Sequence, residues 1–380
     1  MAESKKKILL FSPAIYPCSV GGVEVFNYYL ACELAKTRSI MVATSCKITF
    51  GRSIEKINLI NRLFIIKRFG LSRLSLIISG FFQLAMRRST IGLIHVPYTS
   101  SSGYLGVLFY LVKKVLRLPY ILHIHAGGMG QWKIKLFHRL FFKHADRIIA
   151  VSEIIQKEYE RRTNRHIQVI LPLIPFSKSI NNKMDLKRSF GLKTEDIIIL
   201  VVGSIKPIKG SEIILKSFMS LGIEFVKKEK LKLIFVGDGQ QRKDMESRIL
   251  HNNEFNDHVR FMGSLPHEKL PDVYAIANIY VIASWFEGTP ISLLEAMYNG
   301  LPIIGSNVKG INNIISDKEN GLLFEKSNDL ELAENIQLLM RDKKTATEIG
   351  RNARSDYEKK YDYPQTFRAF EDIYSCYLLN

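Results

Sequence analysis

Two glutamates are the residues best placed to do chemistry. Glu287 and Glu295 are separated by seven residues in the segment Glu287-Gly-Thr-Pro290-Ile-Ser-Leu-Leu-Glu295-Ala-Met-Tyr-Asn-Gly300-Leu-Pro302. The segment follows the apolar run Ile279–Ile282 and the short loop Ala283-Ser-Trp-Phe286. That order puts Glu287 at the carboxyl end of a strand, where open α/β sheets bind their ligands. Beyond Pro290, the run Ile291 to Met297 predicts a helix whose first N–H groups lack intrahelical partners and suit a phosphate. Glu295 lies about one turn further in, where a carboxylate can accept hydrogen bonds from two ribose hydroxyls. The residues also allow a plainer account, with one glutamate at a helix N-terminus and the other on a solvated surface.

Three further positions carry potential chemistry. Lys209 ends the stretch Val202-Gly-Ser204-Ile-Lys206-Pro-Ile-Lys209-Gly210, a loop leaving a buried strand. An ammonium there would neutralise a departing diphosphate, a place where a preorganised cation lowers a barrier most. Gly21-Gly22 comes after the first strand and before the helical stretch Glu24–Ala35. Glycines let the backbone approach a phosphate or a sugar, although a turn without any ligand uses them equally. His125 closes Tyr120-Ile-Leu-His123-Ile-His125, whose alternation puts both histidines on one strand face. A strand-end histidine is either a ligand-contacting group or a structural one; His123 reads as core. No Asp-x-Asp occurs, so the divalent-cation clamp for a diphosphate is not encoded in that form.

The pair Glu287 and Glu295 resembles the signature of glycosyltransferase family 4, EGxxxxxxEAMxxGxP. The resemblance runs along nearly the whole chain. It takes in Tyr16-Pro17 with Gly21-Gly22-Val23-Glu24, His125, and Ala145-Asp-Arg-Ile-Ile-Ala-Val-Ser-Glu153. It continues through Val202-Gly203 with Lys209-Gly210, Val236-Gly-Asp-Gly239, Phe261-Met-Gly263 and Asn320-Gly-Leu-Leu323. It implies a GT-B fold, retention of anomeric configuration, no bound metal or other cofactor, and a UDP- or GDP-sugar donor held mostly by the C-terminal domain. Catalytic roles fall on His125, Lys209 and Glu287, with His125 in the cleft against the donor sugar. Donor binding falls on Gly21, Gly22, Ser204, Lys209, Gly263, Glu287, Gly288, Thr289, Pro290, Ile291, Leu294 and Glu295. The family usually has Arg where this chain has Ser204, and a hydroxyl does not replace a bidentate guanidinium. Lys206 is the nearest substitute charge. The residue after His125 is Ala126, where the family often has Asp or Gly.

The elements that must position these residues form an α/β rhythm. Short β-branched runs recur at Ile8–Phe11, Ile40–Thr44, Leu93–Val96, Tyr120–His123, Arg147–Val151 and Val169–Leu171. After the polar stretch Ser177–Lys187 the rhythm restarts at Ile197–Val202, Leu231–Val236, Val259–Phe261, Ile279–Ile282 and Pro302–Gly305. The expected architecture is α/β, two Rossmann-like domains facing across a cleft. Residues 1–176 form the acceptor domain, 186–355 the nucleotide-sugar domain, and 356–380 a helix returning to the first domain.

Charge is distributed unevenly. The first 180 residues carry 27 Lys and Arg against 8 Asp and Glu, whereas the rest carry 27 against 28. A one-sided basic field suits an anionic partner. The expected acceptor is a glycan or lipid-linked molecule, as in bacterial surface polysaccharide assembly, with an anionic membrane surface as a further partner. Arg62, Lys67, Arg68, Arg73, Arg87, Arg88, Lys113, Lys114 and Arg117 flank the apolar stretches Leu74–Met86 and Leu105–Leu118 and are the candidate contacts. The alternative is that these stretches are buried core helices. No RRM, KH or helix-turn-helix pattern appears, so nucleic acid is not expected. No apolar run reaches the roughly 20 residues a spanning helix needs, Pro13 and Pro17 interrupt any signal-like start, and the four cysteines form no CxxC pair. The expected location is cytoplasmic, peripheral on the inner membrane face. A catalytically silent sugar-nucleotide-binding subunit is the alternative that Ser204 leaves open.

Overall fold

The structure, a computed structural model, describes residues 6–17, 22–44, 57–60, 72–125, 136–172, 176–252, 254–361 and 363–378. The chain divides into two compact units, Met1–Pro175 together with Tyr363–Asn380, and Phe176–Asp362.

In the first unit seven strands form one parallel sheet: β1 (Lys7–Phe11), β2 (Ile40–Ala43), β3 (Ile57–Ile60), β4 (Ile91–Tyr98), β5 (Tyr120–Ile124), β6 (Arg147–Ala150) and β7 (Gln168–Val169). Their order is β3-β2-β1-β4-β5-β6-β7. The second unit has six: β8 (Ile197–Val202), β9 (Leu231–Val236), β10 (Val259–Phe261), β11 (Ile279–Ile282), β12 (Ile303–Ser306) and β13 (Leu322–Phe324), in the order β10-β9-β8-β11-β12-β13. Both are the doubly wound order, reversing between β1 and β4 and between β8 and β11. Helices cover both faces of such a sheet, so its strands read as nearly unbroken apolar runs, as in Ile197-Ile-Ile-Leu-Val-Val202.

The last helix, Tyr363–Leu378, belongs to the first unit. Phe370, Ile373 and Tyr374 join Ile8, Leu10, Phe26, Leu93 and Ile121 in one core, and Arg38 pairs with Glu371 at 2.7 Å. The return begins at Tyr363 and not at 356. The preceding helix, Lys343–Lys360, buries Ile349, Ala353 and Tyr357 in the cores of the second unit and carries residues 356–360 with it.

The two apolar stretches of the first unit behave differently. Within Leu105–Leu118, Leu105, Leu108, Phe109, Val112, Leu116 and Leu118 are all core. The helix Ser72–Met86 buries Leu76 and Leu84 but exposes Leu74, Ile78, Phe82 and Met86. Among the described residues no helix is long and apolar enough to cross a membrane.

Candidate active site

At the switch point of the second unit, β8 and β11 are neighbours, so the loops leaving their carboxyl ends are too. The β8 loop turns through Pro207–Lys209 and enters the helix Ser211–Ser220 at Gly210, whose φ is +67°. A Cβ on Gly210 would stand 2.1 Å from the Ala283 carbonyl oxygen, so only glycine lets this loop lie against the end of β11. The result is a contact between two predicted catalytic residues. Lys209 Nζ donates to Glu287 Oε1 at 2.6 Å, and Ser284 Oγ donates to the same oxygen at 2.6 Å. Ser306 Oγ, at the end of β12, in turn donates to the Ser284 carbonyl at 2.6 Å. On the far side, Gly310 has φ +93° and would bring a Cβ within 2.0 Å of the Glu287 carbonyl. The Glu287 side chain keeps 12% of its surface and that of Lys209 34%, so the pair is shielded on the carboxylate side and open on the ammonium side.

From this pair the chain runs into the helix Ile291–Tyr298. Gly288, Thr289 and Ile291 are half-buried and Pro290 is buried. The N–H groups of Leu293 and Leu294 return to the Pro290 carbonyl, leaving the amides of Ile291 and Ser292 at the helix start. The Leu294 side chain, 1% exposed, lies in the hydrophobic core, so any part it plays in holding a donor passes through the helix backbone. Glu295 is buried, and both its oxygens are bonded: Oε1 lies 2.9 Å from His267 Nε2, and Oε2 accepts from Tyr274 OH at 2.7 Å. Burial, reinforced by the Glu295 charge, pushes the Tyr274 phenol well above its usual range, so it stays a donor. Each carboxylate oxygen retains a second lone pair, and His267 and Tyr274 fix the direction in which it is offered.

Ser204 is half-buried and Lys206 is exposed. Arg242 bonds Glu246 at 2.8 Å and Asp238 at 3.2 Å, and its Nη1 lies 2.9 Å from where a Cβ on Gly263 would be. Gly263 itself is buried at φ +72°, and its carbonyl accepts from the Gly237 N–H at 2.8 Å.

In the first unit, Gly22 opens the helix Gly22–Thr37 and is exposed, whereas Gly21 lies outside the described residues. His125 stands one residue past β5, its N–H bonded to the Tyr98 carbonyl at 3.0 Å. Its ring packs edge-on against Phe26 at 4.9 Å and meets the His123 ring at 4.1 Å. Burial lowers its pKa to about 3, so it is a neutral imidazole. His123 is core, as expected, but polar core: its Nδ1 lies 3.2 Å from Nε2 of His95. Among the described residues no group of three or more His, Cys, Asp or Glu is placed to hold a metal ion.

Comparison with known proteins bears on both units. Residues 20–177 match Glycosyltransferase Family 4, and residues 182–356 match the glycosyl transferases group 1. The chain belongs to the family 4 glycosyltransferases. It is 28% identical over 288 residues to a glycosyltransferase of Methanocaldococcus jannaschii, covering 75% of each chain. It is 24% identical to the UDP-Gal:alpha-D-GlcNAc-diphosphoundecaprenol alpha-1,3-galactosyltransferase of Escherichia coli, covering 75% of this chain and 76% of that one. Anabaena HepE, solved in complex with UDP-glucose, superimposes with a TM-score of 0.78 at 18% identity, over 97% of this chain and 99% of that one. The likeness to HepE is one of fold, GT-B. This glycosyltransferase is accordingly an enzyme that moves a hexosyl group from a nucleotide sugar.

Several residues of the transferase site escaped the sequence reading. Ser284, Tyr274, His267, Arg242 and Gly310 each touch a predicted residue or its immediate neighbour. Ser284 sits in the loop already singled out, directly before Trp285, and was the one within reach. The others come from helices and turns distant in sequence, and no spacing announces them.

Proposed function

We propose that the second unit holds a UDP- or GDP-sugar with its diphosphate against Lys209 and the Ile291 and Ser292 amides. In this reading Glu295 takes the ribose hydroxyls and Glu287 orients the sugar. The observation that supports it is the Lys209–Glu287 contact at the β8/β11 switch point, with the His267–Glu295–Tyr274 cluster on the helix that follows Glu287. As the glycosidic bond breaks, charge collects on the β-phosphate, and Lys209 neutralises it without a metal. An acceptor hydroxyl on the same face of the sugar gives its proton to the departing phosphate, so configuration is retained and no protein nucleophile is needed. His125, a neutral imidazole, offers a hydrogen bond to the sugar. The test is turnover of a panel of UDP- and GDP-hexoses by the wild type and by Glu287→Gln. The reading requires at least one donor that the wild type consumes and the variant does not.

The acceptor belongs to the same proposal: a lipid-linked or otherwise anionic glycan at a membrane face, in surface polysaccharide assembly. What supports this is the helix Ser72–Met86. Leu74, Ile78, Phe82 and Met86 recur every fourth residue and are 53%, 49%, 62% and 67% exposed, an apolar stripe along one helix face. Arg73 and Arg88 are exposed at its two ends. An interfacial helix has this arrangement, apolar residues dipping into the bilayer and cations at the headgroups. Lys113 is less suited, being paired with Asp146 at 2.5 Å. Lys114 and Arg117 are exposed, and Arg62, Lys67 and Arg68 lie outside the described residues.

A further inference from the structure

A line of hydrogen-bonding groups runs through the first unit from the returning helix to the end of β5. Tyr374, fully buried on the helix Tyr363–Leu378, has its hydroxyl 2.7 Å from Nδ1 of His95 on β4. His95 Nε2 lies 3.2 Å from His123 Nδ1 on β5, and the His123 and His125 rings stand 4.1 Å apart. All three imidazoles are neutral, since burial drives each pKa far below 6.5.

The positions of the protons follow from the inner end of the line. A phenol in an apolar interior keeps its proton, and among the described residues Tyr374 has no acceptor other than His95. It therefore donates to His95 Nδ1, which leaves the His95 proton on Nε2. His95 Nε2–H then donates to His123 Nδ1, which leaves the His123 proton on Nε2. There the line stops short: Nε2 of His123 and Nε2 of His125 are both buried, and neither has a hydrogen-bond partner among the described residues. Buried polar atoms without partners are rare, and two on adjoining rings call for one explanation.

We propose that Tyr374 is a positioning residue for His125: the line Tyr374, His95, His123 ends in a bond from His123 Nε2–H to His125 Nε2, holding His125 as its Nδ1–H tautomer. This rests on the reading of His125 as a group that contacts substrate. Because Nε2 is the buried nitrogen, Nδ1 is the one left for a ligand, and it is an N–H donor suited to a sugar hydroxyl or a phosphate oxygen. The His123 and His125 rings stand 4.1 Å apart, centroid to centroid, and hydrogen bonds at such sites are often long without substrate and tighten when it is bound. No proton is transferred; the line sets an orientation and a tautomer.

The experiment is ¹⁵N spectroscopy of the full chain with labelled histidines, which reads directly which ring nitrogen carries each proton. In the wild type, saturated with UDP-glucose as probe and also without it, His95 and His123 are expected protonated on Nε2 and His125 on Nδ1. Tyr374→Phe, which keeps the ring and removes the donor, should turn the His125 signal into a mixture of tautomers. His125 protonated on Nε2 in the wild type overturns the proposal, as does an unchanged His125 signal in a folded Tyr374→Phe protein. Should that variant fail to fold, the wild-type pattern decides alone. The substrate-contact reading fails separately: His125→Ala would then transfer sugar at the wild-type rate.

Discussion

Lys209 and Glu287, proposed for separate tasks at the phosphate and at the sugar, share a hydrogen bond. Lys209→Ala should lower turnover about 10²–10³-fold, the scale for one preorganised charge-stabilising donor. It also leaves a shielded carboxylate without its counterion. Adding Glu287→Gln to Lys209→Ala should therefore raise the thermal midpoint above that of Lys209→Ala alone, although turnover is not restored. A double mutant no more stable than Lys209→Ala would mean the contact carries no weight. The histidine line gives a pH dependence. His95 and His125 have pKa values lowered from 6.5 to about 3, and His123 is lowered as well. Below pH 6.5 the unfolded chain binds protons that the folded one refuses. The stability these groups contribute is thus complete above 6.5 and is lost as pH falls toward 3, by about 1.4 kcal/mol per pH unit for each proton. Denaturant titrations between pH 8 and 5 should show this decline, and His95→Gln should make it shallower by one proton.

Elements place these residues through glycines as much as through strands. Gly310→Ala would press a methyl group onto the Glu287 carbonyl at a φ of +93°. The strain costs about 1–3 kcal/mol. Turnover should fall sharply while the far-ultraviolet circular dichroism stays native; wild-type turnover in this variant would show that the Glu287 loop tolerates displacement. Most elements were legible because parallel strands buried on both faces leave apolar runs, as Ile197–Val202 and Leu231–Val236 do. β3 (Ile57–Ile60) and β13 (Leu322–Phe324) were not read as strands, being short runs at sheet edges. His125, Lys209 and the two glutamates could be named because each follows a strand in the sequence itself, whereas Gly21, Gly22 and Gly263 were named on the resemblance to family 4. Tyr274, His267 and Tyr374 could not, because what brings them to Glu295 and His95 is packing between helices and strands far apart along the chain. The end of the second unit at 362 was equally hidden, since the charged helix Lys343–Lys360 and the helix after it differ only in which core takes their apolar faces.

For the molecule as a whole, the excess of basic residues in the first 180 positions and the exposed stripe on Ser72–Met86 lead to the same measurement. The protein should sediment with vesicles containing anionic lipid and not with neutral ones. Each Lys or Arg near such a surface adds about 1 kcal/mol, so replacing Arg73 and Arg88 should weaken binding roughly 10–30-fold. Phe82→Ser should weaken it on anionic vesicles without altering the salt dependence, because it removes apolar contact alone. Equal binding to both vesicle types would remove the membrane from the proposal and leave sugar transfer standing. A chelator should leave transfer unchanged if Lys209 and the helix amides hold the diphosphate unaided; activity lost to chelator and restored by Mg²⁺ would overturn that part.

The first unit closes only when its last helix arrives. Between Pro175 and Tyr363 the whole second unit must be synthesised, which at about 5–20 residues per second takes roughly 10–40 s. During that interval the second unit, continuous in sequence, can fold as it emerges. The sheet of the first waits with the seat of Phe370, Ile373 and Tyr374 open to water. A nascent chain in that state exposes an apolar face that invites chaperones or aggregation, and a premature stop anywhere in the second half leaves it permanently so. The order in which the two units become complete is the reverse of the order in which their synthesis begins.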